Sequence, residues 1–296
     1  MGLEKMNMEM IREATENQRR NGGILAPGAL TTGYIDLDYA LGGLRPGEIY
    51  LLAGRPRMGT TTFALNLIKN MAIDDKAGHR GVALFSMDCG KEHLIKMLLQ
   101  IISKAEYREV LTADSRNEKV ETGRLVLSES PLYIEDTPQM TAVELITSIL
   151  SVPDYSNALD LIIIDYLELL KTADEVELEK ALKCIRRLAE TAGCSVLVLS
   201  HLEETPDLRE NHYPAMEDLK WPGIERMADH VIFLYRDEVY DENSDNKGIA
   251  EFILARNKHS AGGVVRMGWM PEYLRFCDLG LSSAAAKVED ENIDEI

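Results

Sequence analysis

The stretch that decides the reading is Ile49-Tyr50-Leu51-Leu52-Ala53-Gly54-Arg55-Pro56-Arg57-Met58-Gly59-Thr60-Thr61-Thr62. An apolar run over 49–53 hands over to a loop bounded by Gly54 and Gly59, and Phe63-Ala64-Leu65-Asn66-Leu67-Ile68 follows with helical character. Strand, tight glycine loop and helix start are the context a phosphate-binding loop needs. Backbone N–H groups of such a loop point inward, and the positive end of the next helix favours an anion. The pattern is G-x-x-x-x-G-K-S/T with one departure: Thr60 stands where lysine is expected. Thr61 supplies the hydroxyl that can ligand Mg²⁺. The cradle is present and its main cation is missing. The alternative is a plain strand-to-helix turn that needs glycine for its backbone angles.

Working outward, the chain alternates apolar runs with helical segments. Strands are expected at Gly81–Asp88, Leu132–Asp136, Leu159–Tyr166, Ser195–His201 and His230–Tyr235, and a hairpin-like pair at Ile249–Leu254 and Gly263–Trp269. Residues 91–128 look mostly helical, as do 142–150 and 175–192. Leu159-Asp160-Leu161-Ile162-Ile163-Ile164-Asp165 is a nearly unbroken aliphatic run, expected of a parallel strand covered on both faces. The fold class is α/β, a mostly parallel sheet with helices on both faces and a C-terminal hairpin.

The 296 residues carry 50 acids against 32 Lys and Arg, a net charge of −18. That argues against a surface coated in nucleic acid and leaves room for a basic channel inside an acidic particle. No apolar run reaches the roughly 18 residues of a membrane span, and the start lacks a signal-peptide core. Cys89, Cys184, Cys194 and Cys277 are scattered, so reduced thiols and a cytoplasmic protein are expected. Residues 1–22 carry a modest amphipathic helical pattern, residues 23–280 show no linker that splits them, and the acidic tail 281–296 reads as disordered.

Several polar residues close strands. Asp165 ends the aliphatic run downstream of the phosphate loop, where a carboxylate holds Mg²⁺ through water; the alternative is a helix cap or strand-end turn. Asp88 can orient an attacking water or cap the helix near Lys91. His201 can hydrogen-bond a γ-phosphate, although a strand-end histidine is often structural. Arg256-Asn257-Lys258-His259 can present cations across a subunit boundary or form an ordinary basic turn. The long polar connection over 208–223, with Arg209, Lys220 and Gly223, lies at a strand's carboxyl end, where open α/β sheets bind ligands.

Thr32-Gly33-Tyr34-Ile35-Asp36-Leu37-Asp38, Arg55-Pro56-Arg57-Met58-Gly59, Ile163-Ile164-Asp165-Tyr166-Leu167 and Tyr235-Arg236-Asp237-Glu238-Val239-Tyr240 together resemble the RecA-like motor domain of the bacterial replicative DNA helicase family, DnaB. Ala228-Asp229, Glu242-Asn243-Ser244 and Lys247 to Glu251 extend the resemblance, which spans residues 23–278. It implies a RecA-like P-loop NTPase core and a hexameric ring around single-stranded DNA, with ATP held between subunits. By the resemblance, Gly54 to Thr62 wrap the phosphates and Thr61 with Asp165 supports Mg²⁺. Asp88 takes the place of the catalytic glutamate, and His201 that of the γ-phosphate sensor. Lys258 falls at the arginine finger and Arg256 at its accompanying lysine, while Lys220 and Gly223 lie in the DNA-gripping loop. Residues 1–22 resemble the helix that links the family's N-terminal domain to the motor. Possible partners are then a replicative helicase, primase or helicase loader, in a homo-hexamer or a mixed ring.

The departures fall where phosphoryl transfer happens: Thr60 for lysine, Asp88 for glutamate, Lys258 for arginine, and Trp221-Pro222 in the DNA loop. Two readings follow. One is a divergent ATP-driven helicase in which Arg57 and Arg256 stand in for missing cations. The other is a weakened or dead paralogue that serves as a structural or regulatory partner in DNA replication.

Overall fold

The computed structural model describes residues 25–74, 79–112, 117–172, 174–221 and 223–279. The expected N-terminal helix over 1–22 and the acidic tail over 281–296 lie outside the described residues. The strands are β1 (Ile49–Gly54), β2 (Val82–Ser86), β3 (Leu132–Glu135), β4 (Leu161–Asp165), β5 (Ser195–His201), β6 (His230–Tyr235), β7 (Ile249–Asn257), β8 (Gly263–Met270) and β9 (Arg275–Asp278). They form one sheet in the order β3-β2-β4-β5-β1-β6-β7-β8-β9. Pairing is parallel from β3 through β6 and antiparallel from β6 through β9. The sheet is thus mixed, with the parallel part carrying the glycine loop that follows β1.

The aliphatic runs became strands because both of their faces are covered. In β1, Tyr50 and Leu52 join one core cluster, while Ile49, Leu51 and Ala53 join the other. In β4, Leu161 and Ile163 alternate with Ile162 and Ile164 in the same way. The first face packs on α1 (Ile35–Leu41), α2 (Thr60–Ile68) and α3 (Lys91–Ser103). After α4 (Tyr107–Thr112) and α5 (Glu118–Glu129), the second face is covered by α6 (Ala142–Ser151), α7 (Tyr155–Ala158) and α8 (Glu175–Ala192). Helix α8 buries Leu178, Ala181, Leu182, Ile185 and Ala189, an i, i+3, i+4, i+7 stripe. Asp174 caps its start by accepting from Glu177 N, and Gly193, at φ 68°, ends it in the left-handed conformation.

The hairpin gains a third strand, β9, and the Thr32–Asp38 stretch leads into the short helix α1. These two additions hold each other: the N–H groups of Ile35 and Asp36 donate to the Asp278 carboxylate at 3.2 and 3.4 Å. Strand β7 also runs three residues further than expected, so Arg256 lies on the strand, opposite Val231, rather than after it. Among the described residues, no helix is long and apolar enough to cross a membrane.

Truncating the α8 stripe tests this packing. Ile185→Ala, at a fully buried position, should lower unfolding free energy by about 2–5 kcal/mol in urea titrations. Val176→Ala, on the exposed side, should change it by less than about 0.5 kcal/mol. Equal effects would mean that α8 does not pack as described.

Candidate functional site

Strand β1 delivers its last residue, Gly54, into a crowded corner. A Cβ there would stand 3.1 Å from Thr60 Cγ2 and 3.3 Å from the Leu234 carbonyl oxygen, so a side chain would press on both neighbours. Gly59 takes φ 100° and passes the chain into α2 at Thr60. Met58 and Thr62 turn into the protein, whereas Pro56 and Arg57 are exposed. Arg57 holds φ 74°, an uncommon conformation for a residue with a Cβ.

Thr60 and Thr61 converge on Tyr166. The Thr60 hydroxyl lies 2.6 Å from the Tyr166 hydroxyl, and Thr61 Oγ1 lies 2.9 Å from the same oxygen. Thr61 also donates to Asp165 Oδ1 at 3.1 Å. At the expected lysine position there is therefore a buried, neutral hydroxyl held by a phenol. Asp165 is fully buried at the end of β4, and its second oxygen, Oδ2, has no hydrogen-bond partner. Burial pushes its carboxyl up to about 7; the Thr61 bond opposes this, and the Asp88 charge adds to it. A buried carboxylate oxygen without a partner beside a threonine hydroxyl is an all-oxygen donor set, which fits Mg²⁺. Neither cap nor turn accounts for Asp165: the turn Leu167–Leu169 begins without a side-chain cap.

The other polar residues at this edge are arranged around the same point. His201 ends β5 directly across from Gly54 and stacks on Tyr166, ring centroids 3.7 Å apart. Its Nδ1 lies 3.7 Å from Glu168, whose other oxygen accepts the Ser200 hydroxyl. Asp88 is exposed, two residues beyond the end of β2 rather than on it. It does not cap the following helix: Lys91 N donates instead to Asp136, at 2.7 Å. That leaves Asp88 facing the edge where Asp165 feels its charge.

Cations are scarce here. Arg55, expected at the phosphates, turns to Asp207 instead, with Nε–Oδ1 at 3.1 Å and a further bond from Nη1 to the Leu202 carbonyl at 3.0 Å. Arg236 braces the loop, donating toward the Arg57 and Met58 carbonyls at 3.3 and 3.4 Å. Glu238 pairs with it at 2.8 Å, and its guanidinium lies 4.6 Å from the centre of the Trp269 ring. The exposed Arg57 lines a cleft with Arg236, Glu238 and Lys247 beside the loop.

The family model for the DnaB-like helicase C-terminal domain matches residues 29–278. The chain belongs to that family. The replicative DNA helicase DnaB of Buchnera aphidicola (strain APS) is 32% identical over 258 residues, 83% of this chain and 55% of the relative. The replicative DNA helicase DnaC of Bacillus subtilis is 31% identical over 262 residues, 84% and 56%. The chain thus spans about half the length of these curated relatives. Among solved structures, one of a DnaB-like replicative helicase and its interactions with primase superposes with TM-score 0.80 at 26% identity, covering 94% of this chain and 68% of that one. A second solved structure, of an ATPase domain, gives TM-score 0.79 at 25% identity, covering 93% and 100%.

In this DnaB-like domain the β5–β6 connection is built around Arg209. Its guanidinium bonds both oxygens of the fully buried Asp218, at 2.6 and 2.7 Å, and the Tyr213 carbonyl at 3.0 Å. Arg209 therefore positions the loop instead of standing free for DNA. His212 stacks on Tyr240 and Tyr213 on Tyr235, at 4.1 and 4.5 Å, tying the loop to the tyrosine string of the family resemblance. Lys220 is exposed, and Gly223 takes φ 91° at the loop's far end.

Arg256 and Lys258 stand at the sheet edge opposite the phosphate loop of their own chain, because β7 runs antiparallel to β6. Arg256 donates to the Glu225 carbonyl at 2.6 Å. Lys258 Nζ lies 2.9 Å from Asp229 and 3.2 Å from Glu48. The residues that the sequence reading left without a role are Tyr166, Arg236 and Glu168. Tyr166 and Arg236 stand inside the family-like motifs, directly after Asp165 and Tyr235. Glu168 had no comparable signal.

Two contrasts test the site's construction. Tyr166→Phe, which strips Thr60 of its phenol partner, should cost about 1–3 kcal/mol of stability by chemical denaturation. Arg209→Ala should lower the denaturation midpoint by removing the counter-ion of the buried Asp218, which then keeps only the Ala215 N–H, while Lys220→Ala leaves stability unchanged. Loss of stability with Lys220→Ala but not Arg209→Ala would contradict these assignments.

Proposed function

We propose that this chain is the ATP-binding motor domain of a DnaB-like replicative helicase with weakened ATP hydrolysis. The observation that carries this reading is the oxygen cluster of Thr60, Thr61, Tyr166 and Asp165 beneath a phosphate-loop turn. It keeps the metal ligands and replaces the lysine cation with a neutral hydroxyl.

When bound, Mg²⁺ would neutralise phosphate charge and be held by Thr61 and Asp165. The residues of this chain would do the rest. Gly54 and Gly59 let the backbone approach the phosphates, and the start of α2 favours their charge. Asp88, exposed at the same edge, would orient water, and His201 would hydrogen-bond the terminal phosphate. Lys258, with Arg256 beside it, would act on the neighbouring subunit, since both lie at the edge away from their own loop. The domain would assemble as a homo-hexamer or mixed ring around single-stranded DNA, with Lys220 and Gly223 at the strand. The exposed Arg57 would supply part of the missing charge. Each oriented donor at a phosphoryl-transfer site is worth orders of magnitude in rate, and an arginine finger about 10³–10⁵ in some NTPases. Lysine at the finger position lacks the planar fork that serves this role.

A second reading has its own observation: Lys258 is held by Asp229 and Glu48 within its own chain. A domain whose finger stays paired suits a structural or regulatory partner of a replicative helicase, primase or loader.

Nucleotide binding and steady-state hydrolysis, with and without single-stranded DNA, separate the readings. The wild type should bind ATP in a Mg²⁺-dependent way and turn it over slowly. Thr60→Lys should raise turnover by roughly 10²-fold, the scale of one oriented donor. A wild type as fast as that variant refutes weakened hydrolysis, and absence of Mg²⁺-dependent binding refutes the nucleotide site. Arg57→Ala should weaken nucleotide affinity; unchanged affinity removes Arg57 from the cradle.

A further inference from the structure

A second cluster of chemistry-bearing side chains lies at the sheet edge opposite the phosphate loop. Glu48 stands just before β1, His230 opens β6, and His259 follows β7 in the turn to β8. His230 Nε2 lies 2.9 Å from Glu48 Oε2, and His259 Nε2 lies 2.7 Å from Glu48 Oε1. One donor atom from each residue falls within 4.8 Å of the other two. We propose that Glu48, His230 and His259 form a binding site for a divalent transition cation of the zinc type.

Three features make this a built site rather than a chance meeting of polar groups. His230 is fully buried and stacks flat on Tyr50, centroids 4.4 Å apart at 3°, so the direction of its Nε2 is set by packing. Tyr50 is itself fixed, donating to the Gly43 carbonyl at 3.1 Å and accepting from Arg45 N at 2.8 Å. Without a cation, His230 Nε2 donates to the Glu48 carboxylate, while its Nδ1 makes no hydrogen bond and is free to carry the ring proton instead. Ligation would displace the Nε2 proton and turn that lone pair, already aimed at Glu48 and His259, onto the cation. His259 is exposed, which gives a cation an entry path and a solvent ligand in the fourth position.

The donor set selects the cation. Two imidazoles and one carboxylate with an open position suit Zn²⁺ and its neighbours in the first transition row; Mg²⁺ prefers oxygen. It is thereby distinguished from the oxygen set of Thr61 and Asp165. Lys258 is the competitor, its ammonium 3.2 Å from Glu48 Oε1. It is half exposed on a flexible stem and retains Asp229 at 2.9 Å, so it has somewhere to retreat. A bound cation would repel this ammonium and loosen its hold on Glu48. That consequence, unlike the site itself, rests on the subunit-bridging role proposed above for Lys258.

Cobalt supplies the probe, because Co²⁺ in a zinc-type site absorbs visibly. The full chain, stripped with chelator and kept in excess Mg²⁺ without nucleotide, is titrated with Co²⁺ and then challenged with Zn²⁺. One Co²⁺ per chain should bind with a tetrahedral d–d band that Zn²⁺ abolishes. His259→Gln, at a surface position that leaves the core intact, should weaken binding by at least about tenfold, as should Glu48→Gln. Asp165→Asn should leave it unchanged, which separates this site from the phosphate-loop site. Lys258→Met should tighten binding by removing the neighbouring ammonium. No band displaced by Zn²⁺, or binding untouched by both His259→Gln and Glu48→Gln, overturns the proposal and leaves a polar staple between β1, β6 and the β7–β8 turn. Wild-type affinity in Lys258→Met overturns the link to Lys258.

Discussion

Strand β1 is hydrogen-bonded along both edges and covered on both faces, and where it ends determines where the site opens. Its parallel neighbours are β5 and β6, so His201 and Leu234 both come within reach of Gly54. The chain leaves β1 toward β2, beyond β5 and β4, whereas β5 connects to β6 on the other side of β1. Connections that part in opposite directions leave a crevice at the carboxyl ends of the strands. The phosphate loop, Asp165 on β4 and His201 on β5 all occupy that one edge. Burial of the β1 side chains is therefore what brings residues from distant parts of the chain to one point.

Charge decides what such a point can do. At the carboxyl edge of β1 and β4 the balance is tilted toward negative. Asp165 is buried with one oxygen unpartnered, and Asp88 and Glu168 both add charge that raises its carboxyl. Arg55 is neutralised by Asp207, and Arg236 by Glu238. The hydroxyl bridge from Tyr166 to Thr60 and Thr61 satisfies polar atoms without adding charge. This explains how the loop keeps its shape without lysine: the turn is stabilised by packing of Met58, by the Arg236 brace and by these hydroxyl contacts. Shape and catalytic charge are separable properties of the loop.

That separation also explains what was legible in the sequence. Ser195–His201 and His230–Tyr235 were readable to the residue because buried, continuous apolar runs have sharp polar ends. The strand–loop–helix turn over 54–60 was readable because its glycines answer to local backbone geometry. Helix α1 and strand β9 were not, since α1 has seven residues with two acids in its first turn, and β9 is Arg275-Phe276-Cys277-Asp278. They are tied to each other through Asp278 and to the rest by the β8–β9 pairing and by burial of Leu37, Leu41 and Phe276, and contacts between residues so far apart leave no local pattern. The side-chain roles divide in the same way. Asp165 could be placed from its strand, whereas the turn of Arg55 toward Asp207 and of Arg209 toward Asp218 depends on how a long connection folds back.

The opposite edge of the sheet shows the same logic with the sign reversed. Glu48 and Asp229 gather Lys258, Arg186, His230 and His259 around two carboxylates. Burial raises the Glu48 carboxyl, but hydrogen bonds from His230, His259 and Lys258 overcome it and hold the group down, to about 2. Both carboxylates are largely buried, so removing Lys258 from them uncovers negative charge in a region of low dielectric, where an unpaired ion is costly. Any function that needs Lys258 to reach outward must supply a replacement positive charge. A cation ligated by the two histidines would provide it. A residue that acts on a neighbouring subunit would thus be restrained by its own chain, through carboxylates seated at the very strands whose far ends carry the phosphate loop.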